Sequence, residues 1–241
     1  MTADRWTRMV RHQVGLGRLL PLGEPRDGAW IVEGAAGAVL GRAAADGAPG
    51  VRLGALRISL ADPEDVREPV VPAPPSALPP GVLRVTADFA ATGGEPLPAV
   101  ASRLRSALAA AATQRLGLAV TEIDLRVTDL LETDEPAPAA APAPQPPPAR
   151  EPTDPDESAV AAAALGVPGV VRLTGSLGGP GRAVHIEEHA DEAALPRRHV
   201  RVELTTDATH RAVDVARLVR AAVRTALPDR PTVAVLVTAV N

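Results

Sequence analysis

The chain repeats itself on either side of a stretch that no folded core can use. Nine prolines fall between Pro136 and Pro155, interleaved with alanine. Glu132, Asp134, Glu135, Glu151, Asp154, Asp156 and Glu157 flank or punctuate this run, opposed only by Arg150. Proline fixes φ and removes a backbone donor. Such a segment reads as an extended, partly polyproline-II spacer. The same short patterns then recur in the same order on both sides, the mark of a duplicated unit. Pro49-Gly50-Val51 returns as Pro168-Gly169-Val170, each after an Ala-rich helical stretch (29–45 and 157–165). The run 83–89 returns at 200–206, 100–108 at 215–223, and 119–128 at 232–240.

Periodicity assigns the repeated pieces. Leu83, Val85, Ala87 and Phe89 alternate with Arg84, Thr86 and Asp88, the period of a half-buried strand. Val100, Leu104, Ala107, Leu108 and Ala111 recur at helical spacing, with Pro98 suited to a first turn and Gly117 to a helix stop. Ile123, Leu125 and Val127 alternate with Glu122, Asp124 and Arg126, giving another strand. In the second half, Val200, Val202 and Leu204 alternate with Arg201 and Glu203. Val215, Leu218, Val219, Ala222 and Val223 form a helical stripe, and 232–240 closes as a strand. Earlier strands are expected at 51–60, 170–174 and 182–187, the last two joined as a hairpin by Gly178, Gly179 and Gly181. The expected class is α+β: two related modules of the form helix–β–(β)–β–α–β, helices packed on one face of a small sheet. Charged alternation implies that the other face is solvated or meets a partner. The divisions are a basic arm over 1–20, a first module over 21–131, a linker over 132–157 and a second module over 158–241. The Pro-rich stretch 69–80 reads as a long loop inside the first module.

Composition excludes more than it suggests. All 25 basic residues are arginine, net charge is −4, and Trp6, Trp30 and Phe89 are the only aromatics. A general nucleic-acid binder would show basic excess and stacking rings, so nucleic acid is not an expected partner. Without cysteine there is no disulfide framework, thiolate metal site or Cys nucleophile. No run approaches the ~18 apolar residues of a membrane span, and no apolar run follows the N-terminal arginines as in a signal peptide. The expected location is cytoplasmic, with peripheral contact at the inner membrane face.

No catalytic constellation emerges, and no cofactor is expected. No serine sits in a Gly-x-Ser-x-Gly elbow, and Glu122/Asp124 share their strand face with Arg126, as in a solvated charge ladder. Gly175–Gly181 is Gly-rich but is followed by a strand and lacks the lysine of a phosphate loop. His185, His189 and His199, with Asp191 and Glu192, are the only candidates for a metal, and a strand running into a loop would splay them. The N-terminal arm places Arg5, Arg8, Arg11 and Arg18 among Trp6, Met9 and Leu16. That basic amphipathic pattern suits an anionic membrane surface, a partner protein, or packing on the chain's own first module. Arg217, Arg220 and Arg224 fall on one face of the last helix. They read as a solvated face, or as a surface for the acidic linker of another subunit.

The repeated pattern resembles the alkaline shock (general-stress, envelope-stress) protein family, here as two tandem copies. The resemblance is carried by the Ala/Val helix, the Pro-Gly-Val turn, a Val-rich strand, the helix with VASRLRSAL (100–108), and the closing strand VTEIDLRVTDL (120–130). It runs from Trp30 to Leu131 and, more loosely, from Ser158 to Val240. It implies a non-enzymatic scaffold or structural protein at the cytoplasmic face of the membrane, acting by self-association or through a protein partner. This chain departs from the family pattern in its two modules and in lacking Lys-rich tails. The alternatives are a soluble binding or assembly module without a membrane role, and a metal- or small-ligand-dependent enzyme using the His185–His199 region.

Overall fold

A computed structural model describes residues 17–132, 145–176, 181–189 and 197–241. β1 (Leu19–Pro21) and β2 (Ala29–Val32) are antiparallel, joined through a 3-10 turn at Pro25–Asp27. Helix α1 (Glu33–Gly47) leads to β3 (Val51–Leu60) and, beyond the Pro-rich loop, β4 (Leu83–Thr92). Helix α2 (Leu97–Ala110) continues as a π-helical turn over Ala111–Leu116 before β5 (Val120–Leu131). Then come α3 (Pro155–Leu165), β6 (Val170–Leu173), β7 (Val184–His189), β8 (Arg197–Thr206), α4 (Ala212–Ala226) and β9 (Thr232–Val240). The architecture is α+β with two sheets.

Local chemistry explains the boundaries. Asp154 caps α3 by accepting from the N–H groups of Asp156 (2.8 Å) and Glu157 (3.1 Å), with Pro155 in the first turn. Gly117 ends the π turn at φ 90°, a left-handed conformation that glycine adopts without a Cβ penalty. A Cβ there would stand 2.3 Å from Val213 Cγ1, so the same glycine lets α4 approach.

The two halves share one strand plan. In the first, β3 is antiparallel to β4 and β4 is parallel to β5. In the second, β6 and β7 are both antiparallel to β8, and β8 is parallel to β9. The register shifts at corresponding places: after Phe89↔Val127 in one half and after Leu204↔Val237 in the other. By this register Asp88 corresponds to Glu203, and Arg126 to Leu236. A single hydrophobic cluster runs through both halves, from Leu19 to Val240, and includes residues of all four helices.

Four expectations need correction. Residues 29–32 are not the start of the Ala-rich helix. They form β2, which pairs in parallel with β9 through Ala29↔Val235, Trp30↔Leu236 and Ile31↔Val237. Bulky Trp30, Ile31 and Val32 suit a pleated surface better than a helix. β6 and β7 do not form a hairpin with each other. They lie end to end along β8, β6 beside Leu204–Thr206 and β7 beside Arg197–Val202. The partner of β8 is thus split between Leu173 and Val184, where β3 has only a bulge between Leu53 and Leu56. Residues 145–150 of the linker are not a free tether. Ala149 N–H donates to Leu173 O, Gly175 N–H to Pro147 O and Arg150 N–H to Gly181 O, so the segment lies along the outer edge of β6. Finally, the charged alternation of β8 does not mark a solvated face. His199, Glu203 and Thr205 are buried, and Glu203 is 0% exposed.

Candidate functional site

The last helix carries three arginines and Asp214. Arg217, Arg220 and Arg224 stand three and four residues apart on α4, and therefore on one face. That face looks toward the β1–β2 turn. Arg217 Nε and Nη2 donate to Asp27 Oδ1 and Oδ2 at 2.9 and 2.8 Å, a bidentate pair, and Nη1 reaches Asp214 Oδ1 at 2.9 Å. Burial pushes the Asp27 carboxyl up, but the bonds from Arg217 and from the Glu24 N–H outweigh it and hold the group below the usual carboxylate range. Arg220 donates to the backbone carbonyl of Arg26. Its guanidinium is half-buried, and burial depresses its pKa, with the charge of Arg224 adding to the effect.

These arginines line a cleft of about 670 Å³ with Arg197 and Arg198 from the start of β8 and Arg230, Pro231, Thr232 and Val233 from the approach to β9. Val70 and Val71 of the Pro-rich loop form part of the opposite wall. Six arginines thus face a single lining carboxylate, Asp229. That carboxylate is committed to Arg198, which it meets bidentately at 2.8 Å. Arg198 also donates to Asp156, and the two carboxylates raise its pKa.

The second notable surface is a strand edge. β5 ends the three-stranded sheet, and no described strand pairs with its outer side, where Arg105 Nε donates to the Ile123 carbonyl at 3.2 Å. Val127 is 40% exposed and Leu130 57%. On its charged face Arg126 grips Asp88 bidentately (2.8 and 3.0 Å), and Arg84 bridges Glu122 and Asp124.

Of the residues singled out in the sequence, Arg5, Trp6, Arg8, Met9, Arg11 and Leu16 lie outside the described residues. Arg18 is described and pairs with Glu33 at 3.4 Å, so it serves the junction between β1 and α1. His185 and His189 bound one strand, four residues and about 13 Å apart along the backbone. His185 Nε2 lies 3.1 Å from Arg182 O and 3.9 Å from Glu203 Oε1, and burial lowers its pKa, followed by the nearby Arg201 charge. His199 Nδ1 bonds the Thr232 hydroxyl at 2.8 Å. Among the described residues no three His, Asp or Glu side chains converge as a metal site. Nor, among them, is any helix long and apolar enough to cross a membrane. Glu203 is the polar residue that the sequence hid: its carboxylate accepts the Ser176 N–H at 2.6 Å and so anchors the base of the Gly-rich excursion. Its alternation with Val202 and Leu204 gives no sign of burial, because the cover comes from distant segments.

Compared with family models, curated proteins and solved structures, the chain finds no significant match. The family resemblance therefore rests on its motifs alone.

Proposed function

We propose that the chain is a non-catalytic assembly protein that works by self-association, the open edge of β5 pairing antiparallel with the same edge of a second copy. The observation that carries this is an edge strand twelve residues long, with no described strand beside it and a self-complementary sequence. A two-fold axis at Leu125 sets Asp124 against Arg126 twice and Ile123 against Val127 twice. Glu122 then faces Thr128, and Thr121 faces Asp129. Such an isologous contact closes on itself, and each favourable cross-strand pair adds roughly 0.2–1 kcal/mol. Pairing would also cover Val127 and Leu130, and would satisfy the row of backbone groups that an open edge exposes.

Asp124→Arg or Arg126→Asp alone places like charges opposite each other in the homodimer. Sedimentation should show a wild-type dimer, weakened about tenfold or more in either variant, a loss of about 1.4 kcal/mol. Mixing the two variants restores opposite charges and should restore the dimer. A wild-type chain that sediments as a monomer throughout, or a mixture no tighter than its components, overturns the reading. The location at the inner membrane face rests on the basic arm, and deleting residues 1–20 should release the protein from the membrane pellet in fractionation.

A further inference from the structure

We propose that the arginine-lined cleft between α4, the starts of β8 and β9 and the Pro-rich loop binds a soluble small molecule carrying two or more phosphate groups. The cleft gathers more cationic charge than the neighbouring carboxylates offset. Arg198 and Arg217 are neutralised within the fold by Asp229, Asp156, Asp27 and Asp214. Arg197, Arg220, Arg224 and Arg230 line the same cleft with no carboxylate in ion-pair contact among the described residues. Like charges gathered at one opening destabilise the compact state by mutual repulsion. Arg220 adds a desolvation cost, because it is half-buried and bonds a neutral carbonyl, and the nearby charge of Asp27 does not outweigh that cost. Arg224 sits in the last turn of α4, where it also offsets the helix dipole. That role accounts for one of the four cations, not for the group.

The cleft is shaped as well as charged. Gly28 takes φ 54°, and a Cβ there would stand 2.8 Å from Val71 Cγ2 and 3.3 Å from the Arg220 guanidinium carbon. Glycine at this turn therefore makes room both for the loop wall and for the Arg220 head group. A volume of about 670 Å³ falls within the range of small-molecule sites, about 300–1,000 Å³. Among the described residues no aromatic side chain lines it, so they offer a base or other ring no stacking platform. Recognition must come from the anionic groups. The planar guanidinium fork binds phosphate oxygens bidentately, and four forks with no carboxylate in ion-pair contact among the described residues call for several negative charges held close together.

Inorganic tripolyphosphate is a suitable probe, titrated calorimetrically into the full chain at near-physiological salt. One-to-one binding is expected, with a rise in the thermal midpoint. Arg224→Gln, at an exposed position, should fold normally and weaken binding several-fold. Arg220→Gln/Arg224→Gln should weaken it tenfold or more. Arg57→Gln, an exposed arginine on the other sheet, should leave it unchanged. No binding by the wild-type chain overturns the site. An Arg57→Gln loss equal to that of Arg224→Gln reduces it to diffuse charge and overturns it too. Citrate binding as tightly as tripolyphosphate overturns the assignment to phosphate.

Discussion

β5 and β9 hold the same place in the two halves and meet opposite fates. Each is the last strand of its repeat, parallel to the strand before it, with the same bulge. β9 is central: β2 lies on its outer side, and every residue from Val233 to Val240 is buried. β5 is an edge, and most of its residues are exposed. The sequences differ accordingly. Thr232-Val233-Ala234-Val235-Leu236-Val237 is uncharged on both faces, whereas β5 keeps Glu122, Asp124 and Arg126 on alternate positions. The second sheet is also covered at β1 and at β6. The Ala77–Leu78 backbone lies against β1 and the 147–150 segment against β6. A duplicated unit thus needs only one borrowed strand to turn an edge into a centre.

The strongest test exchanges corresponding residues between these strands. Leu236→Arg forces a longer, charged side chain into a fully buried and filled site opposite Glu203, in a row that also contains Trp30. It should cost more than about 4 kcal/mol and abolish the cooperative thermal transition. Arg126→Leu, the reciprocal change, should leave the melt essentially unaltered. Next in size is Trp30→Ala, which removes the largest side chain from the β2–β9 seam. Trp30 is 1% exposed, and its Nε1 donates to Leu78 O at 3.4 Å. Denaturant titration should show a loss of about 3–5 kcal/mol.

A smaller effect is expected at Asp27. Its folded pKa lies below the unfolded value of about 3.9. Its stabilising contribution is therefore complete above that unfolded value and is lost as pH falls through the folded one. Asp27→Asn should lower stability at neutral pH and reduce the acid sensitivity of the melt below about pH 4. The smallest effect belongs to Asp88→Asn. The Asp88–Arg126 pair is solvent-screened, and its removal should be within error by thermal melting.

The elements set by local periodicity were legible in the sequence. The alternations at 83–89 and 119–128 and the stripes around Leu104 and Val219 place strands and helices correctly to within a few residues. The duplicated order was legible for the same reason. What depended on distant partners was not. Residues 29–32 lie beside an Ala-rich run, and only pairing with β9, two hundred residues away, makes them a strand. Glu203 reads as solvated until Ser176 and its neighbours are folded over it. The arginine cleft was half visible: the spacing of Arg217, Arg220 and Arg224 gave one wall. Arg197, Arg198 and Arg230 joined it only through the ends of β8 and β9, and Val71 through a loop whose path no periodicity predicts.

The pairing of β2 with β9 also orders events in time. During synthesis β2 leaves the ribosome about two hundred residues ahead of β9. Until β9 emerges, β2 has no strand to extend, and Leu20, Trp30 and Ile31 have no core to enter. The second sheet therefore closes only once β9 has emerged, through contacts of very high sequence separation, the kind that slow folding. Throughout that interval the nascent chain presents an apolar two-stranded ribbon to whatever chaperone waits at the exit.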